Sequence, residues 1–97
     1  MVFEWDPGKA TVNLTKHGVS FEEATSVFAD DDALDGEDIL HSIAEQRFLR
    51  LGKSSAGRML VVAYTVRRKS DGEATRIISA RQANRKEKAA YRQDSAD

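Results

Sequence analysis

Met59-Leu60-Val61-Val62-Ala63-Tyr64-Thr65-Val66, entered through Arg58, is an unbroken run of apolar and β-branched side chains. A strand with one face in water alternates apolar with polar residues. A run without alternation is a strand covered on both faces, so residues 58–66 are placed at the centre of a sheet. On its C-terminal side Lys69-Ser70-Asp71-Gly72 carries a turn signal, and Thr75 to Ala80 forms the next strand. On its N-terminal side Lys53-Ser54-Ser55-Ala56-Gly57 is a polar turn, preceded by a strand over Gln46 to Gly52. Connections this short join antiparallel neighbours, so the three strands make a meander.

Further out the period changes from two to that of a helix. Val2-Phe3-Glu4-Trp5 reads as a short strand. Asp6-Pro7 then starts a helix, with Asp6 as cap and Pro7 at the first helical position. Ala10, Leu14 and His17 share one face of it, and Gly18 ends it. Ser20 with Glu23 is a capping box for a second helix, whose stripe is Phe21, Ala24, Val27 and Phe28. Asp30-Asp31-Asp32 stops that helix, because like charges oppose its negative end. Residues 33–45 are ambiguous, with a strand at Ala33-Leu34-Asp35 and loop from Asp38 to Ala44. Asn84 and Glu87 cap a last helix through Tyr91, and residues 93–97 are expected to fray. Two helices on one side of a mostly antiparallel sheet, with a short C-terminal helix, is an α+β layer arrangement in one domain over residues 1–97.

The chain has 97 residues and no cysteine, which excludes disulfides, thiolate metal sites and cysteine nucleophiles. No apolar run reaches the roughly 20 residues that span a bilayer, and the N-terminus lacks a secretory pattern, so a cytoplasmic location with no membrane partner is expected. The net charge of −1 conceals an asymmetry. Residues 1–45 hold two basic and eleven acidic side chains; residues 46–97 hold thirteen basic and five acidic. A basic half suits a polyanion such as RNA or DNA, unless the two halves neutralise each other in the fold.

Chemistry is sought first among the arginines at strand ends. Arg67 and Arg68 leave the central strand, and Arg76 and Arg81 bracket the following one. Strict alternation puts Arg81 with Thr75, Ile77 and Ser79, and Arg76 on the opposite face. If the sheet sets Arg67 beside Arg81, two guanidinium forks converge and can hold a phosphate through charge developing in a transition state. The alternative is that they are simply solvated. His17, beside Lys16 at a helix end, is a candidate base or phosphate contact; His41 has Glu45 nearby, which can orient it or act as base. Tyr91 can stack on a base or pack its helix on the sheet; Trp5 has the same choice. The acidic run from Asp30 to Asp38 lacks the spacing of a calcium loop, and two unmatched histidines make no zinc site, so no metal or cofactor is expected.

Phe3-Glu4-Trp5-Asp6, Lys9, Asn13 and Lys16-His17-Gly18-Val19-Ser20-Phe21-Glu22-Glu23-Ala24 resemble the N-terminal signature of BrnT toxins. Glu45-Gln46-Arg47-Phe48, Gly52, Gly57-Arg58 and Val61-Val62 resemble its middle, and Arg76-Ile77-Ile78-Ser79-Ala80-Arg81 with Ala83, Glu87 and Tyr91 its C-terminal signature. The resemblance covers roughly residues 3–91. It implies a RelE-like fold and metal-independent endoribonuclease activity. It also implies a ribbon-helix-helix antitoxin of the BrnA type, in an assembly that binds its own promoter DNA. The residues it implies are Arg67 and Arg81, with Arg76, Lys16, His17 and Tyr91 besides. The mechanism expected on these residues has Arg67 and Arg81 as catalytic, Glu45 or His17 as base, and Lys16, Arg68, Arg76 and Tyr91 contacting RNA. A non-catalytic nucleic-acid or partner-binding module using the same basic sheet is the alternative.

Overall fold

The computed structural model describes residues 1–95. Its five strands are β1 (Phe3–Glu4), β2 (Leu34–Glu37), β3 (Phe48–Lys53), β4 (Met59–Lys69) and β5 (Gly72–Gln82). They form one sheet in the order β1-β5-β4-β3-β2, so the apolar run of β4 lies at its centre, as its sequence requires. The pairs β2–β3, β3–β4 and β4–β5 are antiparallel, and β1 joins β5 in parallel. The ambiguous region resolves into edge strand β2, then a single 3₁₀ turn at Ile39–His41.

Helix α1 (Pro7–His17) lies against β5, α2 (Phe21–Thr25) packs on the sheet through Phe21 and Ala24, and Ser26–Ala29 continues α2 as a 3₁₀ turn. The start and stop signals act as read. Asp6 accepts from the Gly8 N–H, Gly18 ends α1 at φ 67°, and the Ser20 hydroxyl accepts from the Glu23 N–H. Phe21, Ala24 and Val27 from this layer meet Leu60, Val62, Ile77 and Ala80 from the sheet in the core. Phe3, Phe28 and Tyr64 extend the core in a chain of rings 5.2 and 4.9 Å apart. Trp5 packs edge-on against Phe21 at 5.9 Å and so joins the core. Gly52 is a close approach: a Cβ there would stand 3.1 Å from that of Ala33 and 3.2 Å from that of Val27.

Helix α3 (Arg85–Ser95) follows β5. Its start is a complete reciprocal box: the Glu87 N–H donates to Asn84 Oδ1 at 2.8 Å, and the Asn84 N–H donates to Glu87 Oε1 at 2.8 Å. The helix passes the expected end at Tyr91 and runs to Ser95; residues 96–97 lie outside the described residues. The Glu87 carboxylate also takes both arms of Arg81 at 2.8 and 2.9 Å, fastening α3 to the end of β5. The acidic run at 30–32 is built in as well. Asp30 accepts from the Lys53 N–H at 2.7 Å, the Asp32 N–H at 3.0 Å and the Tyr91 hydroxyl at 2.8 Å. Burial alone would raise its pKa, but these donors outweigh burial and hold it below the usual aspartate range.

One apolar stripe is corrected. Leu14 is 52% exposed, whereas Asn13, 6% exposed, is the buried residue of α1. The reason is the edge of β5. The two residues of β1 cover it only at Thr75 and Arg76, which leaves peptide groups further along without a strand partner. The Asn13 amide takes that place: Nδ2 donates to the Ala80 carbonyl at 2.8 Å, and Oδ1 accepts from the Ala80 N–H at 3.1 Å. The same Nδ2 donates to the Val19 carbonyl at 2.9 Å, tying the α1–α2 connection to the sheet.

Candidate active site

Because Asn13 holds α1 against β5, the residues one turn away on α1 overhang the same strand. Between them runs an open groove of about 530 Å³. It is lined by Asp6, Lys9, Val12, Asn13, Lys16 and His17 from the helix side and by Ile78 and Ser79 from the strand. Lys16 and His17 occupy the last turn of α1, where cations meet the negative end of the helix dipole. The Asp6 carboxylate is engaged in its cap and the Asn13 amide at the edge of β5, which leaves the two lysines and the imidazole as the side chains free to meet a ligand in the groove.

The strand side is shaped by a bulge. Ala63 pairs with Ser79 and Tyr64 with Ile77, so Ile78 is an extra residue in β5. The extra residue reverses the parity of everything after it. Ser79 and Arg81 follow Ala63 and Val61 onto the face that Arg76 shares through its partner Thr65. The assignment of Arg81 to the face of Thr75 and Ile77 is thus corrected. Arg76, Ser79 and Arg81 lie along one face of β5, opposite the helical layer.

The expected convergence of Arg67 and Arg81 does not occur. Arg67 pairs with Ala74 and Arg81 with Val61, six positions apart along β4. At about 3.4 Å per residue they stand about 20 Å apart, too far to share one phosphate. The cause is register: both arginines lie toward the C-terminal ends of their strands, and in an antiparallel pair those ends are opposite.

The other candidates divide accordingly. Glu45 sits between two guanidinium groups, 3.7 Å from Arg67 and 3.8 Å from Arg47, at the far end of the sheet from Arg81. Arg68 is exposed and reaches Glu73 at 3.8 Å. Together with Thr65, Arg68 and Glu45 line a second, smaller hollow of about 430 Å³. Arg76 donates to Glu4 at 3.1 Å, and Lys69 meets the same carboxylate at 3.2 Å. With these two cations against it, Lys69 foremost, Glu4 titrates below the usual carboxylate range. Arg81 gains the most from its hydrogen bonds to Glu87, which raise its pKa and lower that of Glu87. His41 contacts Asp38 at 2.9 Å and not Glu45.

Tyr91 is not available to a nucleic-acid base: it is buried and its hydroxyl is given to Asp30. Burial first, and that carboxylate second, push its pKa up to about 12. Among the described residues no cluster of three His, Asp or Glu side chains is arranged to hold a metal ion. Nor is any helix among them long and apolar enough to cross a membrane.

Lys9 and Ser79 were missed as site residues. Lys9 lies seven residues before Lys16, two helical turns, so the same helix face carries both. That spacing was legible. The placement of Ser79 was not, because it depends on the bulge.

No curated protein sequence matches the chain. Among solved structures, the fold is similar to the crystal structure of the Brucella abortus ribonuclease toxin BrnT. That match has a TM-score of 0.62 at 22% identity, covering 88% of this chain and all of the other. At that identity the likeness speaks for the fold. The sequence itself carries the assignment: the family model for BrnT, the ribonuclease toxin of type II toxin–antitoxin systems, matches residues 5–87, and this chain belongs to that family.

Proposed function

We propose that the chain is a metal-independent endoribonuclease that cuts RNA in the groove between α1 and β5. The observation that carries this is the gathering of Lys9, Lys16, His17 and Ser79 around one open concavity. Lysines at its wall attract the phosphodiester. His17 takes the proton of a ribose 2′-OH, whose oxygen attacks the adjacent phosphorus. The bond to the 5′-oxygen breaks, leaving a 2′,3′-cyclic phosphate and a 5′-hydroxyl once that oxygen takes up a proton. Lys16 and Lys9 stabilise the charge of the pentavalent arrangement, the role first given to paired arginines. Arg81 and Arg76, on the strand face that carries Ser79, bind the flanking strand of RNA. Arg67 and Arg68, with Glu45 beside them, serve as a distant backbone contact and not as the reacting centre.

The partner on this reading is a BrnA-like ribbon-helix-helix antitoxin. It silences the RelE-like toxin in the cytoplasm and, as a complex with it, binds promoter DNA. Incubation of the purified chain with RNA, with and without EDTA, tests the enzyme. Cleavage should survive the chelator and yield cyclic phosphate ends. His17→Ala and Lys16→Ala should each slow it a hundredfold or more at an unchanged unfolding midpoint. Wild-type rates in both variants remove the groove as the site. RNA binding without cleavage would mark a binding module instead, and loss of cleavage in EDTA a metal enzyme.

A further inference from the structure

The turn that follows β2 presents three large apolar side chains within five residues. Ile39 is 79% exposed, Leu40 83% and Ile43 94%. A single exposed aliphatic residue is ordinary on a protein surface, but a group of this size on one projection marks a contact waiting for a partner. The turn is also closed at its neck. The Asp38 N–H donates to the Arg47 carbonyl at 2.8 Å, and the Arg47 N–H donates to Ser42 Oγ at 3.0 Å. Ser42 Oγ in turn donates to the Asp38 carbonyl at 2.6 Å, and the Asp38 carboxylate holds His41 at 2.9 Å. These hydrogen bonds fix the turn from within, and its three aliphatic side chains stand in solvent.

Charge narrows the partner. Residues 30–45 contain seven acidic side chains and no lysine or arginine. Glu37, next to the turn in β2, has no ion-pair partner among the described residues. Asp35 is met by Arg50 and Glu45 by Arg47 and Arg67, so the uncompensated charge beside the turn is that of Glu37, which disfavours a phosphate backbone. A second copy docked face to face would bring two acidic segments together. What fits is a cationic amphipathic segment, two or three large apolar residues flanked by lysine or arginine.

We propose that Ile39, Leu40 and Ile43, with Glu37 at their border, are the surface on which a cationic amphipathic segment of the antitoxin docks. This rests on the toxin reading above for the identity of the partner, but not on the location of the active site. The probe is the cognate antitoxin, expressed and purified separately. Its affinity for the full-length protein is measured at 50 and 300 mM salt, together with RNA cleavage and the unfolding midpoint. The triple variant Ile39→Ser/Leu40→Ser/Ile43→Ser removes only exposed side chains. It should keep its midpoint and cleave RNA at the wild-type rate while binding antitoxin about a hundredfold or more weakly. Glu37→Lys should weaken binding at 50 mM salt and much less at 300 mM.

Wild-type affinity in the triple variant overturns the proposal, as does a wild-type chain that does not bind the antitoxin. Sedimentation of the wild type as a dimer that the triple variant dissolves would assign the surface to a second copy, which also overturns it. A wild-type chain that binds antitoxin through this turn but cuts no RNA leaves the surface standing and removes the enzymatic reading instead.

Discussion

Asn13→Ala is the substitution with the largest consequence for its size. The side chain is exposed on one end to the groove yet almost entirely buried, and it makes three hydrogen bonds, to the Val19 carbonyl and to both peptide groups of Ala80. Truncation removes no great apolar area; its cost lies in one N–H and two carbonyls left without partners. Each such group costs about 1–3 kcal/mol when water cannot replace the lost bond, with carbonyls at the lower end. The groove admits some water at one side, so the expected loss is about 3–5 kcal/mol. That is a large part of the roughly 5–15 kcal/mol that holds a domain together. At this chain length the unfolding midpoint should fall by roughly 12 °C or more.

Asn13→Asp separates hydrogen bonding from packing. It keeps an acceptor for the Ala80 N–H but sets a buried carboxylate against two carbonyl oxygens. Those oxygens and burial both disfavour its charge, so its folded pKa lies above the unfolded one and the variant should grow more stable as pH falls from 8 to 5. Urea denaturation at several pH values reads both effects. An Asn13→Ala loss under about 1 kcal/mol, or an Asn13→Asp variant indifferent to pH, would show that this amide does not replace a strand at the edge of β5.

The wild type should show the opposite pH dependence. Glu23, held down chiefly by the Arg58 hydrogen bond, and Glu87, held down by Arg81, both have folded pKa values below the ordinary 4.5. Stability that such groups supply is complete above the unfolded pKa and is lost as pH falls through the folded one. Acid urea titrations should therefore find a plateau above about pH 5 and a decline below it, and Glu23→Gln should flatten that decline. Tyr91→Phe should cost about 1 kcal/mol with RNA cleavage unchanged, since the half-buried Asp30 carboxylate loses its hydroxyl donor; reduced RNA affinity at unchanged stability would restore a base-stacking role. Ultraviolet titration should find Tyr91 ionising only near its raised value of about 12, and a tyrosine step at 10 would contradict the Asp30 contact. Gly52→Ala should destabilise by about 1–3 kcal/mol, because the new methyl meets Ala33 and the backbone of Val27 at 3.1–3.3 Å.

What the sequence disclosed was local chemistry, and what it withheld was register. Asp6, Ser20, Asn84 and Gly18 mark helix ends through bonds that span two to four residues, so no knowledge of the rest of the chain is needed to place them. The apolar run of β4 reports its own double burial. Asn13, in contrast, reads as a polar interruption beside Leu14, because a helical period scores side chains by polarity and cannot register that an amide resembles the peptide group missing from the neighbouring sheet edge.

Arg67 and Arg81 fail together for a related reason. Each lies near the C-terminal end of its strand, though inside it and not beyond it as read, and antiparallel pairing sends consecutive outgoing ends to opposite sides of the sheet. Strands of this length then hold them about 20 Å apart. The bulge at Ile78 adds a second inversion, since a single inserted residue exchanges the faces of Ser79, Ala80 and Arg81. Without it, Ala80 would point away from the helices and would not meet Phe21 and Val62 in the core. The same residue thus closes the core on one face and sends Ser79 and Arg81 to the other. Deleting Ile78 should therefore cost folding and RNA cleavage together, whereas a substitution confined to His17 should separate them.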